Sequence, residues 1–95
     1  MAIRVLIERT VETGQEARVQ QILTELRSRA MQVRGYISGE TLRDINNPHR
    51  YMVISTWNSL EDWKNWEGNA DRKRLRDELN RVLRSTDETT IYGHI

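Results

Sequence analysis

The sequence predicts an α+β domain whose four strands and two helices follow one another as β-α-β-β-α-β, on three observations. Residues Ile3 to Val11 alternate with the period of a half-buried strand. Val19, Ile22, Leu23, Leu26, Ala30 and Val33 recur at the spacing of an amphipathic helix. All three tryptophans fall within the ten residues from Trp57 to Trp66, in a stretch that reads as a strand running straight into a helix. At 95 residues the chain is one domain, residues 1–95.

On the first strand Ile3, Val5, Ile7 and Val11 share one face, and Arg4, Leu6, Glu8 and Thr10 the other. Arg9 falls on the apolar face near the strand's end; a solvated terminus is the plainer reading and a cavity the sharper one. Thr13-Gly-Gln-Glu16 has the pattern of a capping box and opens a first helix of about five turns that ends at Gly35, its C-cap. Tyr36 to Ile45 is the second strand, Asn46 to Arg50 a turn-rich loop and Tyr51 to Trp57 the third strand, which makes an antiparallel hairpin.

Ser59 is placed as the N-cap of the second helix, with Asp62 three residues on. Gly68-Asn69 interrupts that helix, and Asn69 caps a second segment striped by Leu75, Leu79, Val82 and Leu83. At about 100° per residue Arg72 lies inside this apolar arc and Arg76 on its border. Each guanidinium either snorkels to solvent, the plainer reading, or points into a cavity. Thr86 to Ile95 closes the chain as a fourth strand.

This order is the split β-α-β arrangement of a ferredoxin-like fold. Helices on one face of the sheet leave the other open, and there Leu6 stands beside Arg4, Glu8 and Thr10, too apolar for free surface. We therefore expect a homodimer in which two sheets pair through their open faces into an α+β barrel.

Composition narrows the function. Fifteen basic against fourteen acidic residues leave a net charge of +1, which argues against nucleic acid or another polyanion as partner. There is no cysteine, hence no disulfide or thiolate metal site, and His49 and His94 stand apart from any ligand-spaced pair, so no metal is expected. No apolar run approaches the ~20 residues of a membrane span and the N-terminus has no signal-peptide core, so the expected setting is cytoplasmic. Phosphate-binding glycine loops and a G-x-S-x-G elbow are absent.

What remains is the aromatic corner. Tyr51, Val53 and Trp57 share a strand face, and Trp63, Trp66 and Ala70 share a helical arc. The set reads either as plain core or as the wall of a pocket for a flat ligand. In the pocket reading the rings sandwich a planar substrate and Arg72 or Arg76 stabilises an enolate or phenolate. Trp57 and Trp63 close the turn, and Trp66, at the edge of its arc, is the best cavity candidate. Asp62 is a capping acid before it is a base.

Arg34-Gly-Tyr-Ile-Ser-Gly-Glu-Thr-Leu-Arg-Asp44, Arg50-Tyr-Met-Val-Ile-Ser-Thr-Trp57 and Glu61-Asp-Trp-Lys-Asn-Trp66, with Arg72 six beyond, resemble the antibiotic biosynthesis monooxygenase domain family over nearly the whole chain. The resemblance implies a dimeric α+β barrel. It also implies a pocket between sheet and helices in which some members oxidise aromatic polyketides with molecular oxygen and no metal or flavin.

In the monooxygenase reading Trp66, Arg72 and Arg76 are expected as catalytic residues, Trp57, Tyr51, Trp63 and Ile7 as substrate-binding residues, and no cofactor is expected. The haem-degrading branch would need a first-strand Asn, a helical Trp and a His ten residues beyond it. Here Ile7 or Glu8 stands for the Asn and Arg76 for the His, so haem degradation is not expected. Two hypotheses follow: a cofactor-independent monooxygenase acting on a small aromatic molecule, and a non-catalytic dimeric barrel that binds a small apolar ligand.

Overall fold

The computed structural model describes residues 1–95. The elements are β1 (Ile3–Thr10), α1 (Glu16–Ala30), β2 (Tyr36–Arg43), β3 (Arg50–Trp57), α2 (Leu60–Glu67), α3 (Ala70–Asn80) and β4 (Glu88–Gly93). The sheet runs β2-β3-β1-β4 with every neighbouring pair antiparallel, the ferredoxin-like order. No helix is long and apolar enough to cross a membrane.

The alternation of β1 explains its interior place. Ile3, Val5, Ile7 and Arg9 are buried under the helices, and Val11 continues that face through an isolated bridge to Leu83. The helices cover the face in two apolar groups. One joins Ile3, Val5, Ile7 and Ala30 to the three tryptophans. The other joins Val11, Val19, Ile22 and Leu23 to Tyr51, Leu75 and Leu79. The opposite face carries Leu6 against Ile54, and Met52 between Glu8 and Leu42, with no helix over it.

The second helix breaks where the sequence places the break. Ser59 Oγ accepts from Asp62 N–H at 3.1 Å and donates to Asp62 Oδ2 at 3.0 Å, which fixes the start of α2. Asn69 Oδ1 accepts from Asp71 and Arg72 N–H at 2.8 and 3.3 Å and starts α3.

The first helix departs from expectation at both ends. Its N-cap is Gln15 and the Thr13–Glu16 capping box does not form. Gly14 turns the chain with φ +86°, so Glu16 Oε1 accepts instead from Gly14 N–H at 3.3 Å. At the other end α1 stops at Ala30, and Gly35 lies beyond it in the connection to β2. Gly35 has φ +88°, its carbonyl accepts from Asn58 N–H at 2.7 Å, and a Cβ there would collide with the Asp62 carboxyl. It is a docking point for the start of α2, a role that helical periodicity cannot reveal.

Two strands are shorter than expected. β2 ends at Arg43 because Asp44 Oδ1 folds back to accept from Asn46 and Asn47 N–H at 2.8 and 3.1 Å. β4 spans Glu88 to Gly93 and is exposed along its length.

The two glycines at positive φ separate backbone strain from crowding. Gly14 has open space around a notional Cβ, whereas Gly35 faces Asp62. Gly14→Ala is expected to cost about 1 kcal/mol, and Gly35→Ala about 2 to 3 kcal/mol. Urea denaturation of the two variants measures the difference, and equal losses would remove the close-approach role of Gly35.

Candidate functional site

Trp57 ends β3, and Trp63 of α2 meets it edge-on. The Trp57 and Trp63 centroids are 5.7 Å apart at 65°, and Tyr36 lies 5.3 Å from Trp57 at 85°. Trp57 Nε1 donates to Ser55 Oγ at 3.0 Å, while Trp63 Nε1 is buried without a hydrogen-bond partner. The Arg72 guanidinium sits over the Trp63 ring, 5.0 Å from its centroid. Asn69, by capping α3, sets the phase that turns Arg72 inward.

These groups surround a cavity between sheet and helices with about 550 Å³ of empty volume, its open mouth included. Ile7, Arg9, Ser55 and Trp57 line it from the sheet, Leu26 and Ala30 from α1, Trp63 and Trp66 from α2, and Arg72 from α3. Five of the expected site residues thus come together: Ile7, Trp57, Trp63, Trp66 and Arg72. The distinction between Trp66 as cavity residue and Trp57 and Trp63 as core is not kept, since all three are both buried and lining.

Tyr51 and Arg76 are placed elsewhere. Tyr51 is buried, accepts from Arg43 Nη2 at 2.7 Å and lines a neighbouring groove between α1 and β2. Its parity with Trp57 is right, but it stands too far along β3 to reach the same cavity. Arg76 is half-exposed and points to Asp87, donating from Nε and Nη2 at 3.1 and 2.8 Å. Asp62, held by Ser59, is a capping acid and does not line the cavity.

Arg9 and Asp87 are the residues that sequence reasoning underrated. Arg9 does not end in solvent: its side chain is 3% exposed and faces Asp87, 2% exposed, at 3.7 Å. Asp87 lies one step beyond the Glu8–Glu88 pair of the β1/β4 register, which sets it across from Arg9. An opposite charge across an antiparallel register was the available signal. It is visible only once the pairing of β4 with β1 is known.

The electrostatics follow from this crowding. Burial pulls the Arg9 guanidinium down to about 10, partly offset by Asp87 and reinforced by Arg72 and Arg76. Arg72 is also lowered, by burial and then by Arg76. The hydrogen bond with Asp87 raises Arg76, and the same bond holds the Asp87 carboxyl below its ordinary range, with Arg9 and Arg72 adding to the effect.

The residues do not fit haem. Neither histidine lines the cavity; His49 Nδ1 lies 3.9 Å from the Glu16 carboxylate and His94 is exposed near the C-terminus. Arg76, ten residues after Trp66, is committed to Asp87. No group of three His, Asp or Glu side chains is placed to hold a metal ion.

A family model of antibiotic biosynthesis monooxygenases matches residues 2–78. The chain belongs to that family. Among solved structures it is similar to a conserved protein from Methanosarcina mazei, at TM-score 0.92 and 18% identity over 97% of this chain and 91% of that one. It is also similar to SnoaB from Streptomyces nogalater, a cofactor-independent oxygenase, at TM-score 0.89 and 14% identity over 99% and 93%. Protein SchA of Streptomyces halstedii is 23% identical over 84 residues, 88% of this chain, but the chain spans only 22% of that protein's length.

Asp87 is depressed below its ordinary 3.8, so the stability it contributes is fully present above that pH and is lost as pH falls through the lower folded value. Asp87→Asn strips two guanidiniums of their counter-ion and is expected to cost about 3 kcal/mol at neutral pH. Urea denaturation should show the gap between wild type and variant narrowing as pH falls below 3.8. A gap independent of pH would deny Asp87 this role.

Proposed function

We propose that this chain is a cofactor-independent monooxygenase acting on a small aromatic or polyketide-like substrate held between the sheet and the helices. The observation that carries the reading is the cavity walled by Trp57, Trp63 and Trp66 with a buried guanidinium, Arg72, laid against the Trp63 ring. The likeness of fold to SnoaB, a cofactor-independent oxygenase, supports it.

In this reaction the substrate, once deprotonated to a carbanion or phenolate, itself passes an electron to oxygen. An anthrone-type methylene then becomes a carbonyl; one oxygen atom stays on carbon and the other leaves as water with the two hydrogens. The rings keep the substrate flat, the apolar wall excludes water, and Arg72 stabilises the anion. Arg76 acts through Asp87, and Tyr51 shapes the flank of the site.

One observation favours the second reading, a non-catalytic barrel that binds a small apolar molecule. No imidazole lines the cavity, and the one acidic residue along its edge, Glu40, is exposed and lies opposite Ile54, a position of the helix-free side of the sheet. In either reading the working form is a cytoplasmic homodimer. Leu6, Met52, Ile54 and Leu42 would be covered by the same face of a second copy, as the exposure of Leu42 and the apolar pairing across β1, β3 and β2 favour.

Incubation with anthrones and hydroxynaphthoquinones should consume oxygen after dialysis against chelator, and Trp66→Phe should lower the rate about tenfold or more. Tryptophan quenching by these compounds with no oxygen use would replace the first reading by the second. Sedimentation at micromolar concentration should give twice the 11.3 kDa chain mass, and a monomer would refute the dimer.

A further inference from the structure

We infer that Arg9 and Arg72 form a two-guanidinium site for one ionised oxygen, so that the cavity takes planar aromatic molecules as anions in preference to neutral molecules of the same shape. This rests on the reading of the tryptophan cavity as the place where substrate binds, and it goes further in naming the substrate's charge and the residue, Arg9, that helps to select it.

The buried guanidiniums outnumber their carboxylate partners. Asp87 is the carboxylate within ion-pair reach of Arg9 and Arg76, and Arg76 takes both of its oxygens, at 2.8 and 3.1 Å. Arg9 is left with an approach of 3.7 Å through Nη2, and its Nε is buried without a hydrogen-bond partner. Arg72 takes part in none of the ion pairs and rests on Trp63. Arg9 and Arg76 therefore share one carboxylate while Arg72 has none within ion-pair distance, and of these three guanidiniums the two that lack a full partner, Arg9 and Arg72, are the two that line the cavity.

The remaining charged groups do not correct the imbalance. Arg27 on α1 adds positive charge at the mouth, and Glu40 on β2 is exposed on the far side of the sheet from the helices. Glu67 on α2 acts on Arg72 only from beyond ion-pair distance. Tyr36 contributes a phenol. A buried charge without a close partner is costly, and an entering oxyanion relieves that cost in a way that a neutral ligand cannot. The apolar walls exclude water from the pairing and strengthen it.

The same arrangement accounts for a site without a general base. Positive charge stabilises the conjugate base of a bound phenol or enol, so the proton is lost to solvent before or during entry and no side chain has to remove it. Asp87, held by Arg76, is a positioning residue: it faces the Arg9 guanidinium, and neither Asp87 nor Arg76 lines the cavity.

Two probe pairs test this under anaerobic conditions with the full chain. In the first, 2-naphthoate and 2-naphthamide are titrated against tryptophan fluorescence; the carboxylate should bind about tenfold or more tightly. In the second, the colour of alizarin reports its ionisation, and the bound dye should lose its proton about one pH unit or more below the free dye.

Success of one pair alone assigns the site to carboxylates or to phenolates. Equal binding of acid and amide together with an unshifted dye overturns the inference. Arg72→Gln, which breaks no ion pair, should reduce the preference to within about threefold, and Arg72→Lys should restore part of it. Arg9→Gln should act likewise, with Arg9→Lys as the partner-preserving control. A preference undiminished in both glutamine variants would also overturn it. Anion preference without oxygen consumption leaves this inference standing and removes the oxygenase reading; oxygen consumption with indifference to ligand charge does the reverse.

Discussion

A single buried carboxylate sets much of the character of this molecule. Asp87 stands where β1, α3 and the approach to β4 meet, and it is the group that lets a strand bury an arginine at a position the alternation reserves for an apolar side chain. Without it Arg9 would be a charge in the core with no counter-ion. Buried pairs of this kind are weak sources of net stability, because desolvation takes back most of the attraction. This one lies where the β1/β4 register would continue, next to the Glu8–Glu88 pair.

The tryptophan corner is built by a different means. Asp62, Ser59, Asn58 and the close approach of Gly35 fix where α2 leaves the sheet, and that direction makes the rings of Trp57 and Trp63 meet edge to face. The cavity lies beside these rings, and the arginine of α3 gives it polarity. The three tryptophans are buried in the core and line the cavity at once, so burial alone does not separate the two readings that the sequence posed.

How far this was legible depends on the range of the determining interaction. The faces of β1, the stripe of α1, the cap at Ser59 and the break at Asn69 are set by neighbours within a few residues, and they stand in the structure where the pattern puts them. Thr13 and Gly35 misled because each also has a helix-end signature, while the left-handed turn at Gly14 and the packing against Asp62 decided otherwise. Arg9 with Asp87 and Arg76 with Asp87 are contacts between distant parts of the chain. Periodicity could place Arg72 inward and Arg76 at the border, but only the strand pairing could supply the carboxylate that draws Arg76 outward and faces Arg9 in the interior.

The double capping of the second helical region has a consequence for how such a site can change over generations. Because Ser59 and Asn69 each start a helix afresh, α2 carries Trp63 and Trp66 and α3 carries Arg72 as two separately phased pieces. An insertion or a change of side chain in one need not rotate the other. A lineage built on this plan can exchange the charge of its cavity while the flat slot is inherited intact, or widen the slot while the charge is kept.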